Sequence, residues 1–389
     1  MPWLILSTLV LAGGLVLTYW VHTRYALDVV VEPASPPASG PLISICIPAR
    51  NEAGNIRRSV EAALAQTYPN FEVIVVDDRS TDDTPRLLAA LSGDPRLRVL
   101  HGAELPEGWA GKPHALAQAA QAARGEWLCF LDADTFLTPQ ALASCYLTAL
   151  ATRADLFTLL TRQVTGTFWE KVVMPLVMTA LSVGFPPRKV NDPRSPRAVA
   201  NGQFILIRRS VYEQIGGHAR IRDEIVDDKA LAELVKYSGR RLVLADGRHV
   251  AQTRMYTSFP QLWEGWTKNV FLGLRHQPGL VLLGAFGGLL MVLSALFLPV
   301  WPLLGLSWLL RGGGLPALAV IVEALLLWLA LLYARARVAH AMRISRWYAF
   351  TLPLGAAVFA AIMLTSGWKV VSGRGVTWRG RRYTPGRSP

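Results

Sequence analysis

Two carboxylates, Asp132 and Asp134, are the residues whose types and spacing are best suited to chemistry in this chain. They follow the apolar run 127–131, which is typical of a buried strand, so both acids lie at that strand's carboxyl end. Two ionised carboxylates side by side repel each other unless a divalent cation lies between them and an anionic ligand, such as a nucleotide diphosphate. The spacing alone also suits a turn or a helix cap. The pair therefore predicts a metal site only where other residues support it.

Two earlier strands are predicted to end in polar residues as well. Apolar runs at 42–47 and 71–76 predict strands, and the helical pattern between them makes a parallel crossover unit. The polar residues that follow the two runs are Arg50, Glu52, Asp77 and Asp78. Because ligands of open parallel sheets bind outside the carboxyl ends of the strands, we expect one cleft to collect these side chains. A helix cap accounts for one carboxylate at a strand end, not for pairs at successive ends.

The composition predicts that part of the chain lies in lipid. The 389 residues are 52% hydrophobic, and four apolar stretches approach the length that spans a bilayer. These stretches lie at 3–20, 280–300, 315–333 and 347–367. The first has no basic residue before it and no cleavage pattern after it, so we expect an uncleaved anchor, not a signal peptide.

The apolar stretches divide the sequence into five parts. The predicted parts are a transmembrane anchor at 1–22, a linker at 23–41, a soluble domain at 42–275, about three transmembrane helices at 276–368 and a basic tail at 369–389. The basic residues that flank the spans predict a cytoplasmic soluble domain. With a cytoplasmic soluble domain, four spans would put the basic tail on the outer side of the membrane. This conflicts with the positive-inside rule, by which basic segments lie on the cytoplasmic side. Either one stretch does not cross, with 280–310 as the first candidate because of Pro299 and Pro302, or the rule fails here.

The charged and thiol residues exclude some partners. The net charge of +13 suits anionic lipid headgroups better than nucleic acid, because Lys and Arg are concentrated at membrane flanks and in the tail. We therefore expect no nucleic-acid partner. Glu323, inside the third apolar stretch, is either functional or simply protonated or hydrogen-bonded to a neighbouring helix. Cys46, Cys129 and Cys145 have spacings that suit neither zinc nor redox pairs, so we expect buried thiols.

Four motifs occur in an order that resembles one protein family. They are Pro48-Ala49-Arg50-Asn51-Glu52, Asp77-Asp78-x-Ser80, Gly111-Lys112-Pro113-His114-Ala115-Leu116 and Asp132-Ala133-Asp134. In this combination, the stretch 42–275 resembles the inverting family 2 nucleotide-sugar glycosyltransferases. The resemblance implies an α/β fold: a Rossmann-like A-type glycosyltransferase domain with a mixed, mostly parallel sheet, plus N-terminal and C-terminal transmembrane helices.

The resemblance also implies roles for the residues at the strand ends. Asp132 and Asp134 are implied as ligands of Mg²⁺ or Mn²⁺ on the diphosphate, and carboxylate oxygens suit such hard cations. The residues implied in nucleotide-sugar binding are Pro48, Arg50, Glu52, Asp77, Asp78, Lys112, Asp132, Gly202 and Gln203.

A general base is implied in the pair Asp227 and Asp228, which opens a helical pattern. An acceptor hydroxyl is a poor nucleophile near neutral pH, so inversion at the anomeric carbon needs a base on the face opposite the diphosphate. The family has a Glu-Asp pair here. Asp227 stands where the family has Glu, so its side chain is shorter, whereas Asp228 matches the second acid. We therefore expect Asp228 to be the base and keep Asp227 as the alternative. Acids in a first helical turn also favour the helix dipole.

The stretch after the acidic pair bears on the acceptor. Processive members of the family carry a Gln-x-x-Arg-Trp motif there, which this chain fits only at Trp266, so we expect transfer of a single sugar. Trp263 and Trp266 are predicted either to lie on the membrane and shape the acceptor entry or to be core residues. The apolar stretch 169–185, interrupted by Pro175, is likewise either an interfacial helix or a buried one.

The overall layout is similar to the carotenoid (diaponeurosporenoate) and hopanoid-associated lipid glycosyltransferases. This resemblance implies a metal-dependent hexosyltransferase that moves one sugar from a UDP-sugar to a carotenoid, polyisoprenoid or hopanoid lipid, with diacylglycerol or ceramide-like lipids as the next alternatives. It also implies a multi-pass protein of the cell membrane with a cytoplasmic catalytic domain. The competing functions are sugar transfer to polyprenyl phosphate or polysaccharide synthesis, and a transporter or membrane scaffold with a nucleotide-binding domain. The sequence indicates neither the sugar nor the oligomeric state.

Overall fold

The computed structural model of the chain describes residues 27–274, 299–378 and 381–383. The predicted anchor at 1–22 and the predicted span at 280–300 lie outside these residues. The described residues form two compact units. The sheet unit contains 27–164 and 185–255 with the described tail from 374, and the helical unit contains 165–184 and the described residues from 256 to 373. The predicted bounds 42–275 of the soluble domain stay a prediction.

The sheet unit is built on a mixed sheet. Its strands are β1 Ile43–Ala49, β2 Phe71–Asp77, β3 Leu97–His101, β4 Trp127–Phe130, β5 Thr135–Leu137, β6 Leu156–Leu160, β7 Arg162–Gln163, β8 Ile205–Arg208, β9 Leu242–Asp246 and β10 Ala251–Thr253. Among the described residues, seven of these form the main sheet in the order β3-β2-β1-β4-β8-β6-β9, and β5-β10-β7 form a smaller one. In the main sheet only β8 runs antiparallel to its neighbours, β4 and β6.

Helices connect and cover the strands of this unit. They are α1 Ile56–Leu64, α2 Thr84–Ala89, α3 Gly111–Ala122, α4 Ala141–Ala151, α6 Pro187–Asn191, α7 Arg209–Gln214, α8 Gly217–Arg220 and α9 Asp227–Tyr237, with α5 belonging to the helical unit below. Alternate residues of β1 point to opposite faces, so Ile45 and Ile47 join one apolar core cluster and Cys46 the other. The three cysteines are free and buried, as predicted.

The sheet topology brings the predicted strand ends together. β1 pairs in parallel with β2 on one side and with β4 on the other, and Ala49 lies opposite Asp77 in the register. The carboxyl ends of the three strands therefore meet at one edge of the sheet. The sequence predicts this arrangement, because nearly continuous apolar runs are typical of parallel strands that are buried on both faces.

The helical unit contains the apolar helices of the chain. Its described helices are α5 Phe168–Gly184, α10 Phe259–Leu274, α11 Trp301–Leu310, α12 Gly314–Ala341 and α13 Leu352–Val371, with a 3₁₀ helix at Arg346–Thr351 before α13. Two segments, Gly314–Ala341 and Arg346–Lys369, are long and apolar enough to cross a bilayer by length and composition. They correspond to the predicted stretches 315–333 and 347–367. In the tail, which belongs to the sheet unit, β11 Val376–Trp378 pairs antiparallel with β12 Arg381–Tyr383.

A proline interrupts the hydrogen bonding of α5, and an arginine of α12 compensates for it. Pro175 has no N–H, so the carbonyl of Lys171 loses its partner within the helix. The Arg335 guanidinium donates to that carbonyl at 2.9 Å and to the Val172 carbonyl at 3.2 Å. Residues 168–184 thus form one continuous helix in which 172–177 are buried while Phe168 and Leu181 are exposed, so an interfacial and a buried helix both stay predictions for this stretch.

Glu72 of β2 provides a test of the sheet unit's stability. Its buried carboxylate accepts hydrogen bonds from Ser44 Oγ at 2.8 Å, Arg124 N at 2.7 Å and Arg124 Nε at 3.0 Å. Burial raises the pKa of Glu72, but the hydrogen bonds from Ser44 and Arg124 together hold it below its ordinary value. We expect Glu72→Gln to destabilise the protein by about 1–3 kcal/mol near neutral pH, because charge-assisted bonds are lost from a buried site.

The pH dependence of this effect has a definite sign. A group whose pKa is lower in the folded state stabilises it above the unfolded pKa, and this contribution disappears as pH falls through the folded pKa. The difference in Tm between wild type and Glu72→Gln should therefore shrink as pH falls from about 5 to about 3. Thermal melts across that range measure it, and a difference that stays constant would contradict the assignment.

Candidate active site

The ends of β1 and β2 are tied together by hydrogen bonds. Asp78 N donates to the Ala49 carbonyl at 2.7 Å, and Arg50 Nη1 donates to the Asp78 carbonyl at 2.6 Å. Glu52 is buried, and its N–H donates to Thr84 Oγ1 at 2.8 Å. The structure thus brings together Arg50, Glu52 and Asp78, which were predicted to hold the nucleoside. Asp77, also predicted, is buried beside them and accepts from Ser80 N at 3.2 Å.

Lys112 connects this edge of the sheet to the predicted metal ligands. It is the second residue of α3, and its Nζ lies 2.6 Å from Asp132 Oδ1 and 3.7 Å from Asp227 Oδ1. Burial lowers the pKa of Lys112, but the charges of Asp132, Asp227 and Asp228 raise it above its ordinary value. The ammonium group therefore stays charged. Pro48 lines the same cleft, together with Lys112, Asp132 and Asp227.

Gly202 lies where three charged groups converge. Its N–H donates to Asp228 Oδ2 at 2.9 Å. A Cβ at this position would lie 2.7 Å from Lys112 Nζ and 3.3 Å from both Asp132 Oδ2 and Asp228 Oδ2. Because glycine has no Cβ, the side chains of Lys112, Asp132 and Asp228 have room to lie close to one another around this residue. The neighbouring Gln203 is buried and its Oε1 accepts from Asn201 Nδ2 at 3.0 Å, so its side-chain oxygen is engaged inside the unit.

The two acids at the start of α9 have different surroundings. Asp227 is buried, and burial raises its pKa to about 7, with the charges of Asp228 and Asp132 also raising it and that of Lys112 lowering it. Asp228 is partly exposed, and it accepts hydrogen bonds from Gly202 N through Oδ2 and from Lys229 N through Oδ1 at 2.7 Å. The structure therefore places the expected base beside Lys112 and Asp132, which lie 116 and 96 residues earlier in the chain.

The donor set at the end of β4 fits a hard divalent cation that is shared with a ligand. Asp132 and Asp134 flank a turn in which Thr135 N donates to the Asp132 carbonyl at 3.0 Å. Within the residues that the structure describes, no cluster of three or more His, Cys, Asp or Glu side chains could hold a metal by itself. Two carboxylates leave most of the coordination shell to diphosphate oxygens and water, which is how Mg²⁺ is commonly bound.

The two predicted acceptor-side tryptophans belong to the helical unit. Trp266 is nearly buried, its Nε1 lies 3.4 Å from Met174 Sδ, and its ring meets that of Tyr256 edge to face. Trp263 is partly exposed and packs against Phe259. Trp266 thus packs as a core residue of this unit, and a role for either residue at the acceptor stays a prediction.

Sequence reasoning missed one residue that lines the cleft. His218 lines it, and the Tyr212 hydroxyl lies 2.9 Å from His218 Nδ1. The available signal is the pair Gly216-Gly217, because consecutive glycines permit the left-handed backbone that turns the chain toward the site.

Comparison with known proteins agrees with this geometry. Residues 44–216 match the sequence profile described as glycosyl transferase family 2. This region is a family 2 glycosyltransferase domain. The succinoglycan biosynthesis protein ExoO of Rhizobium meliloti is 40% identical over 110 residues, which cover 28% of this chain and 30% of that protein. The beta-monoglucosyldiacylglycerol synthase of Nostoc is 29% identical over 184 residues, which cover 46% of this chain and 38% of that protein. The matched stretches thus span about a third of these relatives.

A solved structure extends the comparison beyond the glycosyltransferase domain. The mannosyltransferase PcManGT from Pyrobaculum calidifontis, in complex with GDP-mannose and Mn²⁺, superposes with a TM-score of 0.54 at 21% sequence identity. The match covers 95% of this chain and 97% of that one. At this identity the likeness establishes the fold, and it confirms the predicted A-type α/β architecture.

Proposed function

We propose that this protein is an inverting glycosyltransferase that moves one sugar from a UDP-sugar to a membrane lipid. The observation that carries the proposal is the convergence of Lys112, Asp132 and Asp228 around Gly202, the first two within the stretch 44–216 that matches the family 2 profile. A cation, a metal-binding carboxylate and a candidate base at one point are the groups that sugar transfer from a nucleoside diphosphate requires.

The donor is proposed to lie along the carboxyl ends of β1, β2 and β4. Arg50, Glu52, Asp77 and Asp78 would hold the nucleoside at the ends of β1 and β2. Lys112 reaches the diphosphate, where its charge offsets the charge that develops on the leaving group. Asp132 and Asp134 would hold Mg²⁺ or Mn²⁺, which supplies further neutralisation of the leaving diphosphate. The Mn²⁺ in the mannosyltransferase complex supports a divalent metal here.

Asp228 is proposed to act as the base. Its carboxylate takes the proton of the acceptor hydroxyl, while the acceptor oxygen forms a bond to the anomeric carbon on the face opposite the diphosphate. The bond between the anomeric carbon and the diphosphate oxygen breaks, and its electron pair leaves with the diphosphate. The hydrogen bonds from Gly202 N and Lys229 N fix the orientation of the carboxylate, so little reorganisation is needed at the moment of transfer.

A lipid acceptor is supported by the membrane-like part of the sequence. Two helices long and apolar enough to span a bilayer, Gly314–Ala341 and Arg346–Lys369, follow the glycosyltransferase domain. The Nostoc relative is named for a glucosylated diacylglycerol. We propose a carotenoid, other polyisoprenoid or hopanoid lipid as acceptor. The protein is then a multi-pass membrane protein whose catalytic domain faces the cytoplasm.

Mass spectrometry of lipid extracts tests the acceptor. Cells that express the protein should contain a lipid heavier by one hexose than in cells without it. Cells that express Asp228→Asn at the same level should lack this species, whereas cells with Asp83→Asn, an exposed acid outside the cleft, should contain it. Extracts that do not differ, with the protein present and transfer to a soluble acceptor demonstrated, would contradict a lipid acceptor.

Polysaccharide synthesis is the second candidate. It is favoured by the ExoO match and by the chondroitin synthase of Pasteurella multocida, which is 40% identical over 106 residues that cover 10% of that protein. The two functions differ in the product, because a polymerase makes a product whose length increases with time. Size analysis of labelled product over a time course separates them, and growth beyond one sugar would favour this candidate.

Gly202→Ala should disturb the cleft without unfolding the protein. The added Cβ meets the end of the flexible Lys112 side chain, so Lys112 shifts away from Asp132 and the fold remains. We expect UDP release from UDP-sugar in the presence of acceptor to fall about 100-fold, since a shift of about 1 Å at a site has this effect. Gly93→Ala is the matched control, because a Cβ there meets nothing within 4 Å. Unchanged activity with unchanged Tm would contradict this arrangement.

A further inference from the structure

We propose that His218 is a positioning residue that holds the Asp227 carboxylate beside Lys112, and that Tyr212 determines which imidazole nitrogen carries the proton. The proposal rests on the proposed function for its effect on catalysis, but the arrangement of the two side chains is a property of the structure itself. The sequence motifs assigned no role to His218.

The backbone before His218 is shaped to deliver this side chain. Gly216 and Gly217 have φ of +83° and +50°, the left-handed region that residues with a Cβ rarely adopt. A Cβ at Gly217 would also lie 2.5 Å from Cζ of the Tyr212 ring. The turn therefore requires glycine for two reasons, and it places His218, which is 1% exposed, against the end of β4. There its ring meets Phe130 edge to face at 4.8 Å.

The hydrogen bonds of Tyr212 select one form of the imidazole. The His218 backbone N–H donates to the Tyr212 hydroxyl at 3.1 Å, and the same hydroxyl lies 2.9 Å from His218 Nδ1. A phenol has one proton to donate, and Nδ1 is the acceptor within reach. When Nδ1 accepts, a neutral imidazole carries its proton on Nε2. Burial, with the nearby charge of Lys112, lowers the pKa of His218 to about 3, so the ring is neutral at ordinary pH.

The protonated nitrogen faces Asp227. His218 Nε2 lies 3.9 Å from Asp227 Oδ2, while the other oxygen of this carboxylate lies 3.7 Å from Lys112 Nζ. When Asp227 is ionised, the opposite tautomer would direct the Nε2 lone pair at a carboxylate oxygen, which is unfavourable. Asp227 is thus held between a neutral donor and a cation. The distance of 3.9 Å is longer than a hydrogen bond, and such contacts commonly shorten when substrate binds.

This arrangement matters once the donor is bound. Lys112 turns part of its charge toward the diphosphate, and the Asp227 carboxylate then keeps His218 and its own backbone N–H as donors. If Asp227 rotated, its charge would move relative to the adjacent Asp228 and disturb the base. His218 therefore acts through Asp227 on the step in which the acceptor loses its proton, and it affects kcat more than donor binding.

Two amide substitutions separate this role from simple packing. Gln can place an amide N–H near the position of Nε2, whereas Asn reaches only the position of Nδ1 and leaves Asp227 without the donor. We expect His218→Asn to lower kcat about 10- to 100-fold, as is typical for residues that orient a functional group, and His218→Gln to recover most of it. The KM for UDP-sugar should change by less than about threefold in both, because the lost interaction is not one of donor binding. Equal losses of kcat in both variants would overturn the proposal.

Nitrogen NMR of the imidazole tests the arrangement without activity. In protein labelled with ¹⁵N-histidine, His218 is assigned among the seven histidines as the signal missing from His218→Gln. We expect the neutral tautomer with the proton on Nε2, and we expect Tyr212→Phe to change that signal. A charged ring, or a proton on Nδ1, would overturn the proposal. Binding of UDP with Mn²⁺ and Tm confirm that each variant is folded. Failure of the proposed function would appear differently, as wild-type protein that transfers no sugar while the NMR result stands.

Discussion

Asp228→Asn is expected to lower kcat for sugar transfer by about 10²- to 10⁴-fold, the usual contribution of a general base. Asn is nearly isosteric and can still accept the hydrogen bond from Gly202 N, so the cleft keeps its shape. It cannot take a proton from the acceptor hydroxyl. The measurement is the rate of UDP release in the presence of acceptor, together with the affinity for UDP in the presence of Mn²⁺, which should be nearly unchanged.

The comparison with Asp227→Asn decides between the two acids of α9. Asp227 is buried against Lys112, whereas Asp228 is partly exposed. We expect Asp227→Asn to have the smaller effect on kcat. Asp83→Asn is the charge-matched control, because Asp83 is exposed and pairs with Arg86 outside the cleft. Full activity of Asp228→Asn would disprove its role as base and leave Asp227 as the candidate.

Substitution of the two carboxylates after β4 is the second large effect expected. Asp132→Asn and Asp134→Asn should each lower transfer by about 10²- to 10³-fold, the range for loss of one group that stabilises developing charge. Both should also abolish the increase in UDP affinity that Mn²⁺ or Mg²⁺ produces in the wild type. Removal of the metal with a chelator should inactivate the wild type reversibly, and calorimetry of UDP binding with and without Mn²⁺ measures the linkage.

The two variants distinguish the effect of losing a metal ligand from the effect of losing the partner of Lys112. Asp132 also pairs with Lys112 at 2.6 Å, so Asp132→Asn removes a metal ligand and the partner of Lys112 together. Asp134→Asn leaves that pair intact, and its effect isolates the metal. A variant Asp134→Asn whose UDP affinity still rises with Mn²⁺ as in the wild type would show that Asp134 is not a ligand.

Much of the sheet unit follows from local sequence. The strands β1 and β2 are apolar runs buried on both faces, and their parallel pairing follows from the helix that connects them. The site at their carboxyl ends follows from the same rule, which is why Arg50, Glu52 and Asp78 were found to meet. The antiparallel direction of β8 could not be predicted, because a short apolar run carries no information about its orientation.

The contacts between distant residues needed the structure. The pairing of Lys112 with Asp132 and Asp227 joins three elements whose spacing along the chain is irregular, and it was the family resemblance, with the chemistry of transfer, that suggested one shared site. The link from Tyr212 through His218 to Asp227 depends on two consecutive left-handed glycines, and glycine in a sequence does not reveal the φ that it adopts. The interpretation of Trp266 was open for a similar reason, since an aromatic residue on a helix suits a core as well as a membrane surface.

The structure of the purified product tests the central claim most directly. The protein should be incubated with UDP-sugar, Mn²⁺ and lipid extract, and the glycolipid analysed by NMR and mass spectrometry. We predict one sugar on each lipid, with the anomeric configuration opposite to that of the donor, and one UDP released for each glycolipid formed. A product with the configuration of the donor, or with a growing chain of sugars, would contradict single inverting transfer by Asp228.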